Sequence, residues 1–318
     1  MSTVPIVNHF AELNWLPSFF ERETVMTKED QSRADRHTIV VVGATSEVGT
    51  AASARLRQQG HIVRGVARGL GVALSDQDAL NRAFAGADSA YLMIPFDVQA
   101  RDLHRFEREV GHRLAEAISA SGVRRVVLLS GLNAHLKMGT SLGAAEMEDR
   151  LEALGLYELV HLRAGFFNEN FVKGMGFVEQ SASGVFATPF RGDLPMPLIA
   201  ASDIGERVAD LLTTEDWPRD RIIELHGGGH YTFAKATEIL SSAIGRKVAY
   251  QTVPYPDAHA GMIENGMSAS FADALIETAT SFNNGERWAI EAPGPRNTTP
   301  TTLERWTESV FGASSHAA

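Results

Sequence analysis

Five residues, Thr38 to Val42, are β-branched without a break and run straight into the glycine-bracketed segment GATSEVG, residues 43–49. An unbroken β-branched run is the pattern of a strand covered on both faces. Strands of that kind belong to parallel sheets, whose neighbours need crossover connections, usually helices. A helix is predicted directly afterwards in AASARLRQQ (51–59), rich in alanine, with Gly60 as its carboxyl-terminal stop.

The alternation repeats. HIVRGVAR (61–68) reads as a second strand, ALNRAFAG (79–86) as a helix ended by glycine, and SAYLMIP (89–95) as a strand. A long helix over 103–120, a strand in RRVVLLSG (124–131), a helix at about 143–154 and a strand at 157–163 follow. Repeated βαβ units predict an α/β fold with a doubly wound parallel sheet of Rossmann type. Right-handed crossovers then gather the loops after the strands at one edge, where ligands bind. From RAGFFNENF onward the elements shorten and most of the prolines appear. PMPLIAASDIGERVADLL (195–212), IIELHGG (222–228), FAKATEILSSAIG (233–245) and KVAYQTVP (247–254) predict a smaller C-terminal α/β lobe on the substrate side. The expected division is a Rossmann domain over 38–170, a lobe over 171–318, and an extension, 1–37, outside the fold. In that extension Phe10, Trp15, Phe19 and Phe20 follow no period. A biological start at Met26 is the expected explanation; an arm packing on a protein partner or a second copy of the chain is the alternative.

Charge narrows the function. The chain has 39 acidic and 29 basic side chains, a formal net charge of −10, which disfavours a nucleic-acid partner. It has no cysteine, so thiolate nucleophiles, disulfides and cysteine-held metals are out. No apolar run approaches the roughly 20 residues that span a bilayer, and the expected setting is the cytoplasm, away from membranes.

At the strand-to-helix turn, Gly43 allows the tight bend, and Gly49 lets the helix lie close to the sheet with its first amides facing a pyrophosphate. Ser46 stands where a middle glycine is commoner. At the end of the second strand, an Asp or Glu would bind ribose hydroxyls in an NAD site. This chain has VRGVARG there, with Arg64 and Arg68 and no acid, which favours NADP(H) over NAD(H) because arginine pairs with a 2′-phosphate. Arg64 and Arg68 are both cofactor-binding candidates; Arg68, at the strand end, is the expected phosphate ligand, and strand alternation gives Arg64 the alternative reading of a solvated edge residue. His226 and His230 flank GGG near Glu224, but without a third histidine or helical spacing no metal site is expected. Asp203 is expected to serve the start of its helix.

Together GATSEVG, VRGVAR, DALNRAFAGADSAYLMIP, GVRRVVLLSG, LRAGFFNENF and ASDIGERVADLL resemble the NmrA-like branch of atypical short-chain dehydrogenases, from about Thr38 to about Phe311. The resemblance implies a Rossmann domain with a small C-terminal lobe. The family includes NAD(P)H-dependent reductases of quinones and related small molecules, and sensors that bind NAD(P) without obvious turnover. By matching positions, the cofactor would meet Gly43, Thr45, Ser46, Val48, Gly49 and Arg68, with Ile94, Pro95, Ser130 and Gly131 along the nicotinamide half. Phe166, Phe167 and Asn170 would line the pocket mouth. The segment between the second strand and Asp76 is short, and Ala73 stands where the family often has an aspartate near adenine.

The Tyr-x-x-x-Lys pair of typical short-chain dehydrogenases, which protonates a carbonyl oxygen, is missing: no tyrosine lies between Tyr91 and Tyr157. The lysine that some relatives keep would fall at Gly143 or Ala144. The nearby proton donors are Ser130, His135 and Lys137. The expected function is an oxidoreductase passing hydride from NADPH to a small carbonyl, quinone or similar acceptor. A redox sensor that binds the dinucleotide without turnover is the alternative, and a scaffold that has lost its cofactor the third reading.

Overall fold

The structure, a computed structural model, describes residues 36–286 and 288–312. Apart from Arg36 and His37, the 1–37 extension and the expected start at Met26 lie outside the described residues.

Strand β1 (Thr38–Val42) leads into helix α1 (Glu47–Gln58), and Gly60 ends that turn in the left-handed region at φ 92°. Then come β2 (Ile62–Val66), α2 (Gln77–Phe84), β3 (Ser89–Leu92), α3 (Leu103–Ser121), β4 (Arg125–Gly131), α4 (Leu142–Ala153) and β5 (Glu158–Ala164). The expected elements are present with shifts of a few residues at their ends, the usual scatter of helix and strand boundaries. Past β5 the chain forms β6 (Phe166–Phe167), α5 (Glu169–Lys173), α6 (Phe177–Gln180), β7 (Val185–Thr188), β8 (Pro195–Met196) and β9 (Leu198–Ile199). It continues with α7 (Ala201–Thr213), β10 (Ile222–Leu225), β11 (Tyr231–Thr232), α8 (Phe233–Ala243), β12 (Ala249–Thr252), α9 (Tyr255–Glu264), α10 (Ala269–Asn283) and α11 (Leu303–Phe311).

Six strands form one parallel sheet in the order β10-β5-β4-β3-β1-β2. Alternation sends its side chains into two apolar layers. Val40, Leu92, Val126 and Leu128 meet α2, α3 and α4 on one face; Ile39, Val41, Val127 and Leu162 meet α1 and α7 on the other. The order reverses between β1 and β3, so the crevice of the fold opens there, at the carboxyl ends of the strands. Beyond β2 no further strand is added: residues 67–76 are too few and include a single 3-10 turn, Arg68–Leu70.

The sheet departs from the expected division. Its sixth strand, β10, comes from beyond residue 170 and pairs with β5, while α7 packs on α1. There a Cβ on Gly205 would lie 2.7 Å from the Val48 carbonyl oxygen and 2.6 Å from the Ala51 Cβ. The two helices touch along their backbones. From His37 onward the chain is one compact unit, so a break at 170 cuts through the Rossmann layers. A smaller lobe exists, but its elements are β6 to β9 and those after β10. They share a third core in which Phe171, Phe186, Phe190 and Phe233 are wholly buried. Its strands pair only two by two. No helix among the described residues is long and apolar enough to cross a membrane.

Candidate active site at the carboxyl edge of the sheet

The turn after β1 is held by its own backbone. Gly43, at φ 71°, donates its N–H to the Val66 carbonyl (2.9 Å), and Ser46 N–H donates back to Gly43 (2.8 Å). Ser46 then caps α1, its Oγ accepting from Gly49 N–H at 3.1 Å. The serine that departs from the usual glycine is therefore the helix cap. Gly49 has no room for a side chain: a Cβ there would lie 2.2 Å from the Gly43 carbonyl oxygen. Helix geometry leaves the first amides of α1, at Glu47 and Val48, without intrahelical acceptors, and among the described residues they and Thr45 N–H bond nothing else. Open amides, no Cβ in the way and the positive end of a 12-residue helix suit an anion such as a pyrophosphate. Lys173 of α5 bonds the Glu47 carboxylate and so ties the lobe to this turn.

Arg68 stands exposed at the end of β2, at the same edge, and its guanidinium has no hydrogen bond or ion pair among the described residues. Arg64 is elsewhere. Its Nη1 donates to the carbonyls of Ala83 (3.2 Å) and Ala85 (2.6 Å), where α2 ends and the chain turns back into β3. That is the opposite edge, so the structure does not bring Arg64 to the turn; it satisfies the last carbonyls of a helix. Ile94 likewise packs its side chain into the core under α3, leaving Met93 and Pro95 half-buried on either side of it.

At the end of β4, Ser130 points into the α3–α4 layer and is 6% exposed, with its Oγ unpartnered. Gly131 is hemmed in: a Cβ there would lie 2.9 Å from Ser141 Oγ and 3.0 Å from Asn133 Oδ1. Ser141 Oγ donates to Asn133 Oδ1 (2.6 Å), which leaves the buried Asn133 Nδ2 as an unused donor. After β5, Asn168 is 1% exposed with its Oδ1 unpartnered. Asn133 and Asn168 were not among the sequence candidates, although each sits within three residues of one. A buried polar atom without a partner is costly, and here three of them follow adjacent strands at the ligand edge.

The other candidates divide. His135 Nδ1 lies 3.2 Å from the Leu132 carbonyl. Lys137, in the left-handed region at φ 49°, is exposed and paired with Asp149 at 2.5 Å, which makes it a surface loop residue. Phe166 stacks edge-on against Phe171, Phe190 and Phe233, Phe167 packs toward the α1–α7 layer, and Asn170 is half-buried with its carbonyl accepting from Gly174 and Met175. Tyr91 is no proton donor: it is buried on the α1–α7 side, and burial pushes its phenol far above the ordinary range.

Asp203 does not cap its helix. Its carboxylate binds Thr301 through the N–H (3.0 Å) and the hydroxyl (2.7 Å). The first amide of α7, on Ala201, bonds Glu169, which also accepts from Trp306 Nε1 at 2.8 Å. Glu224 accepts the N–H groups of Ile290 (2.9 Å) and Glu291 (2.6 Å). It braces the loop that also holds His226. Among the described residues no three His, Cys, Asp or Glu side chains are grouped to hold a metal ion.

Comparison with known proteins identifies the family. The profile of the NmrA-like family matches residues 35–306. Prestalk A differentiation protein A of Dictyostelium discoideum is 24% identical over 208 residues, 65% of this chain and 64% of that protein, just under two thirds of its length. An NAD(P)H azoreductase of Xenophilus azovorans is 26% identical over 261 residues, covering 75% of this chain and 85% of the relative. Among solved structures, an NADPH-dependent quinone oxidoreductase of Escherichia coli, complexed with NADPH, aligns with a TM-score of 0.68 at 20% identity over 86% of this chain and 99% of that one. NmrA, a negative transcriptional regulator in complex with NAD, aligns at 0.62 with 18% identity, covering 89% and 98%. At those identities the structures share the fold. The chain belongs to the NmrA-like family.

Proposed function

We propose that this protein is an NADPH-dependent oxidoreductase that reduces a small quinone, azo or carbonyl compound. The observation that carries the reading is the unpaired Arg68 at the edge where the Gly43–Gly49 turn presents open amides. A dinucleotide pyrophosphate suits those amides, and a 2′-phosphate suits the free guanidinium. Relatives named for NAD(P)H azo and NADPH quinone reduction support the acceptor class. The reduced nicotinamide, when bound, supplies hydride. The protein's part is to hold the dinucleotide on α1, to offer Ser130 Oγ and Asn133 Nδ2 to the acceptor oxygen, and to keep water away with the aromatic wall around Phe166.

Calorimetric titration with NADPH, NADP⁺, NADH and NAD⁺ tests the first half. NADPH is expected to bind more tightly than NADH, and Arg68→Ala to weaken NADPH by about 10- to 100-fold while leaving NADH unchanged, since a charge-assisted contact contributes roughly 1.5–3 kcal/mol. An unchanged NADPH affinity would remove Arg68 from the site, and no binding of any of the four would end the reading. Consumption of NADPH with a panel of quinones, azo dyes and ketones tests the second half.

One observation favours a different use of the same site. No tyrosine lies between Tyr91 and Tyr157, Tyr91 is buried on the α1–α7 side, and a transcriptional regulator shares the fold. A sensor without turnover would bind NADPH and NADP⁺ with unequal affinity, because equal affinities shift no equilibrium.

A further inference from the structure

Helix α3 carries an acid on its apolar stripe. Leu103, Glu107, Val110 and Leu114 follow one another at helical spacing and are all buried, with Glu107 1% exposed. The carboxyl lies against α4 at its first turn, in the space that Gly143 leaves: a Cβ on Gly143 would sit 2.4 Å from Glu107 Cδ and 2.6 Å from Oε2. Glu107 Oε2 is 2.9 Å from His104 Nδ1, while Oε1 is buried with no partner. The His104 side chain is 23% exposed, so this pair has a wet end and a dry end.

The Glu107 carboxyl lies at the ligand edge, beside the first turn of α4. Both α3 and α4 begin at the carboxyl ends of the strands that precede them. Gly143 is two residues from Ser141, whose hydroxyl holds Asn133 beside Gly131 and Ser130. The neighbouring charges are Arg108, on α3, and Glu146, on α4, paired with each other at 3.6 Å. They oppose one another at Glu107: Arg108 favours the carboxylate and Glu146 the acid. Burial is the largest influence and, with Glu146, outweighs His104 and Arg108, so the carboxyl is raised above the ordinary glutamate range.

We propose that Glu107 and His104 form the proton relay of this site, feeding an acceptor whose oxygen becomes basic on reduction, a quinone or a ketone. This rests on the reductase reading above. The acceptor takes two electrons and one hydrogen as hydride, as the C4–H bond of the reduced dinucleotide breaks. Its oxygen takes the second proton from Glu107, leaving a carboxylate. His104 returns a proton to that carboxylate and recovers one from water. The sum is acceptor, NADPH and H⁺ giving the reduced acceptor and NADP⁺.

Two measurements decide it. The first needs no cofactor: the infrared carbonyl band of a protonated buried carboxyl, taken as wild type minus Glu107→Gln, should titrate away only above the ordinary glutamate range. The same shift has a stability sign. The native state holds this proton more tightly than the unfolded chain, so stability falls as pH rises from about 4.5, the unperturbed value, toward the raised one, and Glu107→Gln lacks that slope. The second is turnover with a quinone or ketone. Glu107→Gln is expected to lower kcat on the order of 100-fold with KM for NADPH unchanged, and to remove the alkaline limb of the pH profile. His104→Ala should be partly rescued by added imidazole. No carbonyl band, or turnover with an unaltered profile in Glu107→Gln, overturns the relay alone. A wild type that consumes no NADPH with any acceptor overturns the reductase reading and the relay with it.

Discussion

Gly49→Ala is expected to fold and to lose dinucleotide affinity by at least about 100-fold. One methyl group is added, but nothing it meets can rotate away. It would lie 2.2 Å from the Gly43 carbonyl oxygen, 2.8 Å from the Gly43 carbonyl carbon and 3.0 Å from Ala44 Cα. All three are backbone, so the turn and helix α1 must separate. Overpacking of this kind costs about 1–3 kcal/mol of stability, which a chain with two full apolar layers against its sheet should survive. Binding has less slack, because the open amides at Thr45, Glu47 and Val48 belong to the segment that must move. Breaking two or three charge-assisted hydrogen bonds to a pyrophosphate weakens binding by several kcal/mol. Gly60→Ala is the control. Gly60 has φ 92° and nothing within 4 Å of its would-be Cβ, so the change strains one turn by about 1–2 kcal/mol and leaves affinity alone. Calorimetry for binding and circular dichroism for folding separate the two. Equal affinities for Gly49→Ala and wild type would mean that the dinucleotide does not use this turn.

What could be read from the sequence was whatever repeats locally. The β-branched run, the alternation of strand and helix, and the glycine that ends α1 are set by neighbours a few residues away, and each is where the pattern puts it. What escaped depends on distance along the chain. Strand β10 reads as a lobe element because nothing in IIEL says that it returns to pair with β5, some 60 residues earlier. Asp203 reads as serving the start of its helix because its partner, Thr301, is 98 residues away. Arg64 could be assigned a face by alternation, but not the helix end that waits on that face. Lobe strands of two residues leave no periodicity at all. Glu107 is the exception. A glutamate in phase with Leu103, Val110 and Leu114 breaks an apolar stripe, and that signal was present in the sequence.

Removing Glu148 is expected to be the most destabilising single change near the site. Its carboxylate binds Arg163 twice, Oε1 to Nε at 3.0 Å and Oε2 to Nη2 at 2.6 Å, with side-chain exposures of only 9% and 7%. Arg163 lies on β5 directly opposite Ser130 on β4, and Glu148 lies on α4, so the pair fixes that helix to the sheet beneath the unpartnered polar groups. Glu148→Ala would leave a guanidinium buried with no counter-charge, a loss of roughly 3–5 kcal/mol. The pair itself need not be worth that much, because bringing two charges out of water offsets most of their attraction. Replacing both partners, Glu148→Leu with Arg163→Met, is therefore expected to recover stability to within about 1–2 kcal/mol of wild type, or beyond it. Urea unfolding of the wild type, the single variant and the double variant measures the difference directly. If the double variant is as weak as the single, the bidentate bonds hold α4 in a way that apolar packing cannot replace. If Glu148→Ala unfolds at the wild-type midpoint, the ion pair does not anchor the helix. The relay at Glu107 then needs another support, since Gly143 and Glu148 share that helix.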